Sequence, residues 1–123
     1  MTHDTPVLQR WHELGAAGNP AGLNDLLADG LVFYSPVVYT PQQGKAITQL
    51  YLAAAMQVFG QGGFRYVREV VAPNAAMLEF EAELAGIYVN GVDMIEWNDA
   101  GQITEFKVML RPLQAVNLIH KMM

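Results

Sequence analysis

The sequence predicts an α+β fold: three N-terminal helices packed into a curved antiparallel sheet, followed by a short C-terminal helix. Two observations carry this expectation. Apolar residues recur at helical intervals through the first half of the chain, and they alternate with polar residues at strand spacing through the second. Turn signals at Ala72-Pro73-Asn74, Asn90-Gly91 and Asn98–Gly101 then divide that second half into a meander. Helices in one run and strands in the next indicate α+β. A long curved sheet wrapped on helices makes a cone, and its mouth is a natural pocket.

Each element follows from local chemistry. Asp4 or Thr5 caps a first helix with Pro6 at its first position, and Val7, Leu8, Trp11 and Leu14 form its apolar stripe. Gly15 to Gly18 ends it. Asn19-Pro20 starts a second helix carrying Leu23, Leu26 and Leu27, stopped by Asp29-Gly30. Leu31 to Tyr34 reads as a short strand broken by Ser35-Pro36, and Val37 to Tyr39 as a second short piece. Gly44 opens the longest helix, with Ile47, Leu50, Tyr51, Ala54 and Val58 on one side, and Gly60, Gly62 and Gly63 end it. Phe64 to Val71, Met77 to Tyr88, Gly91 to Trp97 and Gln102 to Leu110 are the strands of the meander, with Asn90-Gly91 as a tight hairpin turn. Pro112 starts a last helix bearing Leu113, Val116 and Ile119. No repeat or linker divides residues 1–123, so a single domain is expected.

Composition narrows the function. Charged residues are 15% of the 123, against roughly 25% in an average globular domain, while apolar residues are 52%. The surplus of apolar side chains needs a second destination: a lined cavity, a subunit interface, or both. With a net charge of −5 and seven scattered basic residues, the chain lacks the electrostatic footprint of a nucleic-acid binder. No run approaches the length of a membrane span, and the N-terminus does not read as a signal peptide, so no membrane association and a cytoplasmic location are expected. Without cysteine there is no thiol nucleophile or thiolate metal site, and His3, His12 and His120 have no metal-ligand spacing. Neither a metal nor a cofactor is expected.

Alternation assigns the faces of the sheet. Leu78, Phe80, Ala82 and Leu84 point into the cone, and Glu79, Glu81 and Glu83 point out, with Lys107 and Arg111 of the last strand as cross-strand partners. Thr104, Phe106, Val108 and Leu110 share the inner face. On the strand between them, an outward Glu96 sends Asp93 inward beside Ile95 and Trp97. A carboxylate on an apolar face is costly unless bonded, paired or functional. Desolvation raises its pKa where it outweighs any partner, which makes a proton donor near neutral pH. A second reading stays open: Asp93 sits at the sheet end, just after Asn90-Gly91, and bonds a turn or reaches water. Tyr34, Tyr39 and Tyr51 offer hydroxyls to a ligand, or pack with the hydroxyl at the rim. His12 is a candidate base or a surface histidine beside Gln9 and Glu13.

Three segments resemble the nuclear transport factor 2-like superfamily, and within it the ketosteroid-isomerase and SnoaL-like polyketide-cyclase branch: VLQRWHELGAAGNPAGLNDLLADG with the Ser35-Pro36 break, GKAITQLY, and VDMIEWNDAGQITEFKVML. The resemblance implies a cone-shaped α+β barrel, and a homodimer formed through the outer sheet face. In ketosteroid isomerases a first-helix tyrosine and a protonated aspartate form the oxyanion hole, and an aspartate before a proline is the base. By matching, Asp93 retains the oxyanion-hole carboxyl, whereas Trp11 stands at the tyrosine and Ser35 at the base. A serine without an adjacent base does not take a proton from carbon, so ketosteroid isomerisation by that mechanism is not expected. Epoxide-hydrolase relatives need an Asp-Arg-Asp set, and only Asp93 is assigned inward here.

The expected function is a pocket for a flat apolar molecule of polyketide, steroid or terpene size. Any catalysis would be cofactor-independent isomerisation, aldol cyclisation or dehydration. Asp93 is the expected catalytic residue. Trp11 and Ser35 would orient the ligand, and Tyr51, Phe80, Ile95, Trp97 and Val108 would line its site. The alternative is a non-catalytic ligand-binding or dimerisation module of the same fold.

Overall fold

The computed structural model describes residues 6–17, 20–59 and 63–122. The expected helix caps at Asp4, Thr5 and Asn19, and the stops at Gly18, Gly60 and Gly62, lie outside these residues. Among the described residues the chain runs α1 (Pro6–Ala17), a 3-10 turn (Pro20–Gly22), α2 (Leu23–Leu26), β1 (Leu27–Tyr34), β2 (Gln42–Gln43), α3 (Lys45–Phe59), β3 (Arg65–Ala72), β4 (Ala75–Leu84), β5 (Ile87–Trp97), β6 (Ile103–Arg111) and α4 (Leu113–Met122). The strands form one sheet in the order β2-β1-β6-β5-β4-β3. The β1–β6 pair is parallel and the other neighbours are antiparallel. The architecture is the α+β one expected: helices laid on one face of a curved, unclosed sheet.

Several boundaries differ from expectation, each for a physical reason. The second helix stops at Leu26, and the chain passes directly into β1, through Asp29 and Gly30. β6 pairs with Leu27 before them and with Val32 to Tyr34 after them, so Asp29 and Gly30 are carried through the strand as an irregularity between two paired segments. Val37 to Tyr39 form no strand; the short second strand is Gln42–Gln43, paired with Val32 and Phe33. On α3 the buried positions are Thr48, Leu52 and Val58, and Leu50 is 72% exposed. Thr48 is at home there because its hydroxyl donates to the Gly44 carbonyl at 2.9 Å. On α4 Ala115 and Ile119 are buried and Leu113 is 73% exposed.

The β4–β5 hairpin turns at Ala85-Gly86, not at Asn90-Gly91. Leu84 pairs with Ile87, and the two turn residues have φ of 51° and 79°, as a two-residue hairpin of this hand requires. Asn90 and Gly91 lie inside β5. Gly91 is there because backbone and side chains close in on it: a Cβ would overlap the Phe80 ring and come within 2.7 Å of Leu110 and 2.9 Å of the Met109 carbonyl oxygen. The Asn98–Gly101 turn forms as expected, with the Asn98 side chain accepting from the Gln102 N–H at 3.0 Å.

Two bulges reset the faces. In β6 the register shifts so that Trp97 pairs with Ile103, and Ile103 takes the buried place expected for Thr104. In β3 the shift falls between Tyr66 and Arg68. Tyr66, Glu69 and Val71 then face inward, while Val67, Arg68 and Val70 are exposed. Leu78, Phe80, Ala82, Leu84, Ile95, Trp97 and Phe106 are buried as the alternation predicts. They divide into two clusters, one under α1–α3 and one under α4, and Tyr66 packs against both. The outward glutamates find their partners on β3, the strand beside them. Arg65 meets Glu81 at 2.8 Å and Arg68 meets Glu79 at 3.3 Å. Lys107 and Arg111 do not serve that role because β5 separates their strand from β4. Arg111 donates to Asn90, and Lys107 sits over the Tyr34 ring.

Candidate functional site

Asp93 sits in the middle of β5, with Leu78 of β4 on one side and Val108 of β6 on the other. It is at neither end of the sheet and bonds no turn. Only 6% of it is exposed, and the phenol of Tyr66 donates to its Oδ2 at 2.7 Å. Tyr66 Oη in turn accepts from the indole Nε1 of Trp11 at 3.0 Å. A helix residue, an edge-strand residue and a central-strand carboxyl thus form one relay from α1 into the sheet.

Burial pushes the Asp93 carboxyl up to about 7, and the Tyr66 hydrogen bond opposes part of that rise. The same burial, reinforced by the Asp93 charge, holds the Tyr66 phenol well above its ordinary value. Tyr66 therefore remains a donor, and Asp93 changes protonation near neutrality. Because Tyr66 donates to Oδ2, the neutral acid carries its proton on Oδ1.

A second titratable pair adjoins this relay. His12 follows Trp11 on α1, and its Nε2 lies 2.8 Å from Glu69 Oε2, with side-chain exposures of 30% and 14%. The His12 ring meets the Tyr66 ring edge-on at 5.2 Å. Glu69 and Asp93 are both register partners of Leu78, so the two carboxylates share one row of the inner face, two strands apart. Two such spacings are about 10 Å. Sequence reasoning singled out neither Tyr66 nor Glu69. Plain alternation starting from an inward Tyr66 places Arg68 inside and Glu69 outside, and the bulge at Val67 reverses both.

The other expected site residues are dispersed. Tyr51 stacks on Phe33 with ring centroids 5.0 Å apart. Ile95 and Trp97 belong to the cluster under α1–α3, and Phe80 to the cluster under α4, edge-on to Tyr66. Ser35 and Val108 lie in a groove of about 550 Å³ between Tyr34–Tyr39 and Lys107–Leu110. The Ser35 hydroxyl oxygen accepts from the Val37 N–H at 3.2 Å. A second groove, of about 420 Å³, lies on the outer sheet face around Arg68, Met77, Glu79 and Met109. Trp11, Tyr66 and Asp93 line neither. Among the described residues no group of His, Asp and Glu is placed to hold a metal ion, and no helix is long and apolar enough to cross a membrane.

The sequence matches the SnoaL-like domain over residues 8–106. No functionally curated protein matches it. Among solved structures, a steroid delta-isomerase from Pseudomonas aeruginosa is 31% identical, with a TM-score of 0.89 over 94% of this chain and 85% of that one. A cystatin-like-fold protein from Silicibacter pomeroyi is 29% identical, with a TM-score of 0.88 over 97% and 83%. The epoxide hydrolase/cyclase-like enzyme SalBIII, which has a role in pyran ring formation in the polyether salinomycin, shares the fold at 13% identity, with a TM-score of 0.70 over 87% and 89%. The helix order, the curved six-stranded sheet and the match over most of the sequence agree, and the chain belongs to the SnoaL-like domain family, with the NTF2-like cone fold.

Proposed function

We propose that this protein binds a flat, apolar, enolisable carbonyl compound and moves a proton on it without a cofactor. The observation that carries the reading is Asp93: a buried carboxyl that is neutral until about pH 7, held by the Tyr66 hydroxyl in a chain of the SnoaL-like family. A neutral acid at that depth donates to a carbonyl oxygen where developing negative charge has no water to stabilise it. The reading gives His12, paired with Glu69, the accepting role that Ser35 does not fill. The proton leaves the α-carbon for the imidazole. The C–H electron pair becomes the C=C bond, and the carbonyl oxygen takes the Oδ1 proton of Asp93. On a substrate with a β,γ double bond the enol is a dienol; return of the imidazole proton to its γ-carbon shifts the double bond to α,β, and return of the enol proton to Asp93 completes an isomerisation. The steroid delta-isomerase neighbour supports this reaction class, and the departures at Trp11 and Ser35 argue for a different proton acceptor.

One observation favours a second reading, a non-catalytic ligand-binding module. Asp93 is closed beneath Trp11 and Tyr66, and neither groove is lined by it. Deuterium exchange at the α-carbon of 2-tetralone, followed by NMR in D₂O, separates the two. The catalytic reading expects exchange above buffer in the wild type and at least a tenfold loss in Asp93→Asn with the fold intact. Exchange unchanged by the substitution removes Asp93 from the chemistry, and no exchange by the wild type leaves the binding module.

In either case we propose a homodimer through the outer sheet face, supported by exposed Val70, Met77, Tyr88 and Met109 on that side.

A further inference from the structure

The 550 Å³ groove has a construction that points to a particular ligand. β1 and β6 run parallel until Tyr34 pairs with Lys107, and β1 then leaves at Ser35-Pro36. Beyond that fork β6 has no strand neighbour on its β1 side, although β5 continues beside it on the other. The groove is the space the departing strand opens. It is lined by the apolar Pro36, Val37, Val38 and Leu110 with Tyr34 and, at its open rim, the fully exposed Tyr39, and its inner side reaches Val108, the register partner of Asp93.

Among the described residues lining it, Lys107 is the one charged side chain. Its ammonium is set 4.7 Å from the centroid of the Tyr34 ring. Ring contact of this kind orients a lysine without neutralising it. The other described cations of the sheet and of α3 have partners elsewhere: Lys45 at Asp29, Arg65 at Glu81, Arg68 at Glu79 and Arg111 at Asn90. Glu105 shares the outward face of β6 with Lys107 but is not part of the lining. A groove lined by apolar and aromatic residues, with one oriented cation and no acid, complements an apolar ring system with one acidic substituent.

We propose that this groove binds an aromatic or polycyclic carboxylate, with the carboxylate on Lys107 and the ring system against Tyr34, Tyr39 and Val108. The inference rests on the ligand-binding part of the proposed function and specifies the substrate class: an acid-bearing compound, directed by Lys107 in a protein whose net charge of −5 otherwise repels it.

The test uses two probes of one shape, 1-naphthoate and the neutral 1-naphthalenemethanol, titrated into the ¹⁵N-labelled full chain. The expected result is that naphthoate shifts the amides of Ser35, Val37–Tyr39 and Lys107–Leu110 and binds at least ten times more tightly than the alcohol. Lys107→Met, with an unchanged melting curve, should bring naphthoate down to the alcohol's affinity, and Lys107→Arg should retain the preference. Added salt should weaken naphthoate and leave the alcohol unaffected. Equal binding of both probes in the groove overturns the acid preference while the ligand-binding reading stands. Naphthoate shifts confined to Arg65, Arg68 and Arg111 on the outer face also overturn it. No binding of either probe overturns both.

Discussion

Burial decides how Asp93 behaves. Its carboxyl titrates at about 7 in the folded chain, against an ordinary value of 3.8. Between those values the folded state holds a proton that the unfolded state has lost, so stability falls as pH rises. The contribution is fully present below about pH 4 and is gone by about pH 7, a loss of roughly 4 kcal/mol at about 1.4 per pH unit. Asn at this position keeps an oxygen to accept from Tyr66 and has no proton to lose. Urea denaturation of wild type and Asp93→Asn from pH 4 to 8 should therefore give a stability difference that moves toward the variant up to about pH 7 and is flat above. Parallel curves would mean that Asp93 is already ionised at low pH. The inward placement of Asp93 was legible in the sequence because Glu96 and the Leu78–Leu84 alternation fix the parity of β5. Its partner was not. Tyr66 is the one aromatic in an irregular stretch, RYVREVVA, and the side each residue takes there depends on where the bulge falls. No local pattern marks Val67 as the extra residue.

The elements show the same division between parity and position. Helix existence, the meander and the Asn98–Gly101 turn follow from periodicity and turn chemistry. The β4–β5 turn did not, because a hairpin at Asn90-Gly91 and one at Ala85-Gly86 leave Leu78–Leu84 and Asp93–Trp97 facing the same way; they differ only between the turns, where the observed one buries Val89 and exposes Tyr88. Strand length separates them. A turn at residues 85–86 gives strands of 10 and 11 residues whose backbone groups pair from end to end. The Asn-Gly pair has another use: Asn90 Nδ2 donates to the Phe80 carbonyl at 2.9 Å, and Gly91 admits the Phe80 ring. Two strand glycines make this testable. Gly91→Ala forces a methyl against Phe80, Leu110 and the Met109 carbonyl and should cost about 1–3 kcal/mol. Gly30, in β1, has nothing within 4 Å of a Cβ, so Gly30→Ala should stay within about 0.5 kcal/mol of wild type. Thermal melts of both variants check the pair. A neutral Gly91→Ala would show that Phe80 is free to move aside and that close packing is not what holds glycine there.

At the scale of the whole molecule the low charge content has to be reconciled with the surface. The inner face absorbs much of the apolar surplus, yet the outer face keeps Val70, Met77 and Met94 in one cross-strand row and Val92 and Met109 in the next. Val70, Met77 and Met109 are each close to half exposed. The Arg65–Glu81 and Arg68–Glu79 pairs are both on this face. Apolar rows accompanied by opposite charges suit an isologous two-fold interface, in which each charge pair has an equivalent across the axis. A stable interface of this kind needs about 800 Å² from each partner, which one face of a four-strand meander provides. Native mass measurement at about 10 μM should therefore give twice the mass of one chain. Met77→Glu places two like charges near the axis without disturbing the inner face, so it should give monomers with a cooperative melt. A monomeric wild type at that concentration would return the outer methionines to ordinary surface. A dimer unaffected by Met77→Glu would place the interface on another face and leave the apolar rows of β3–β6 without a partner.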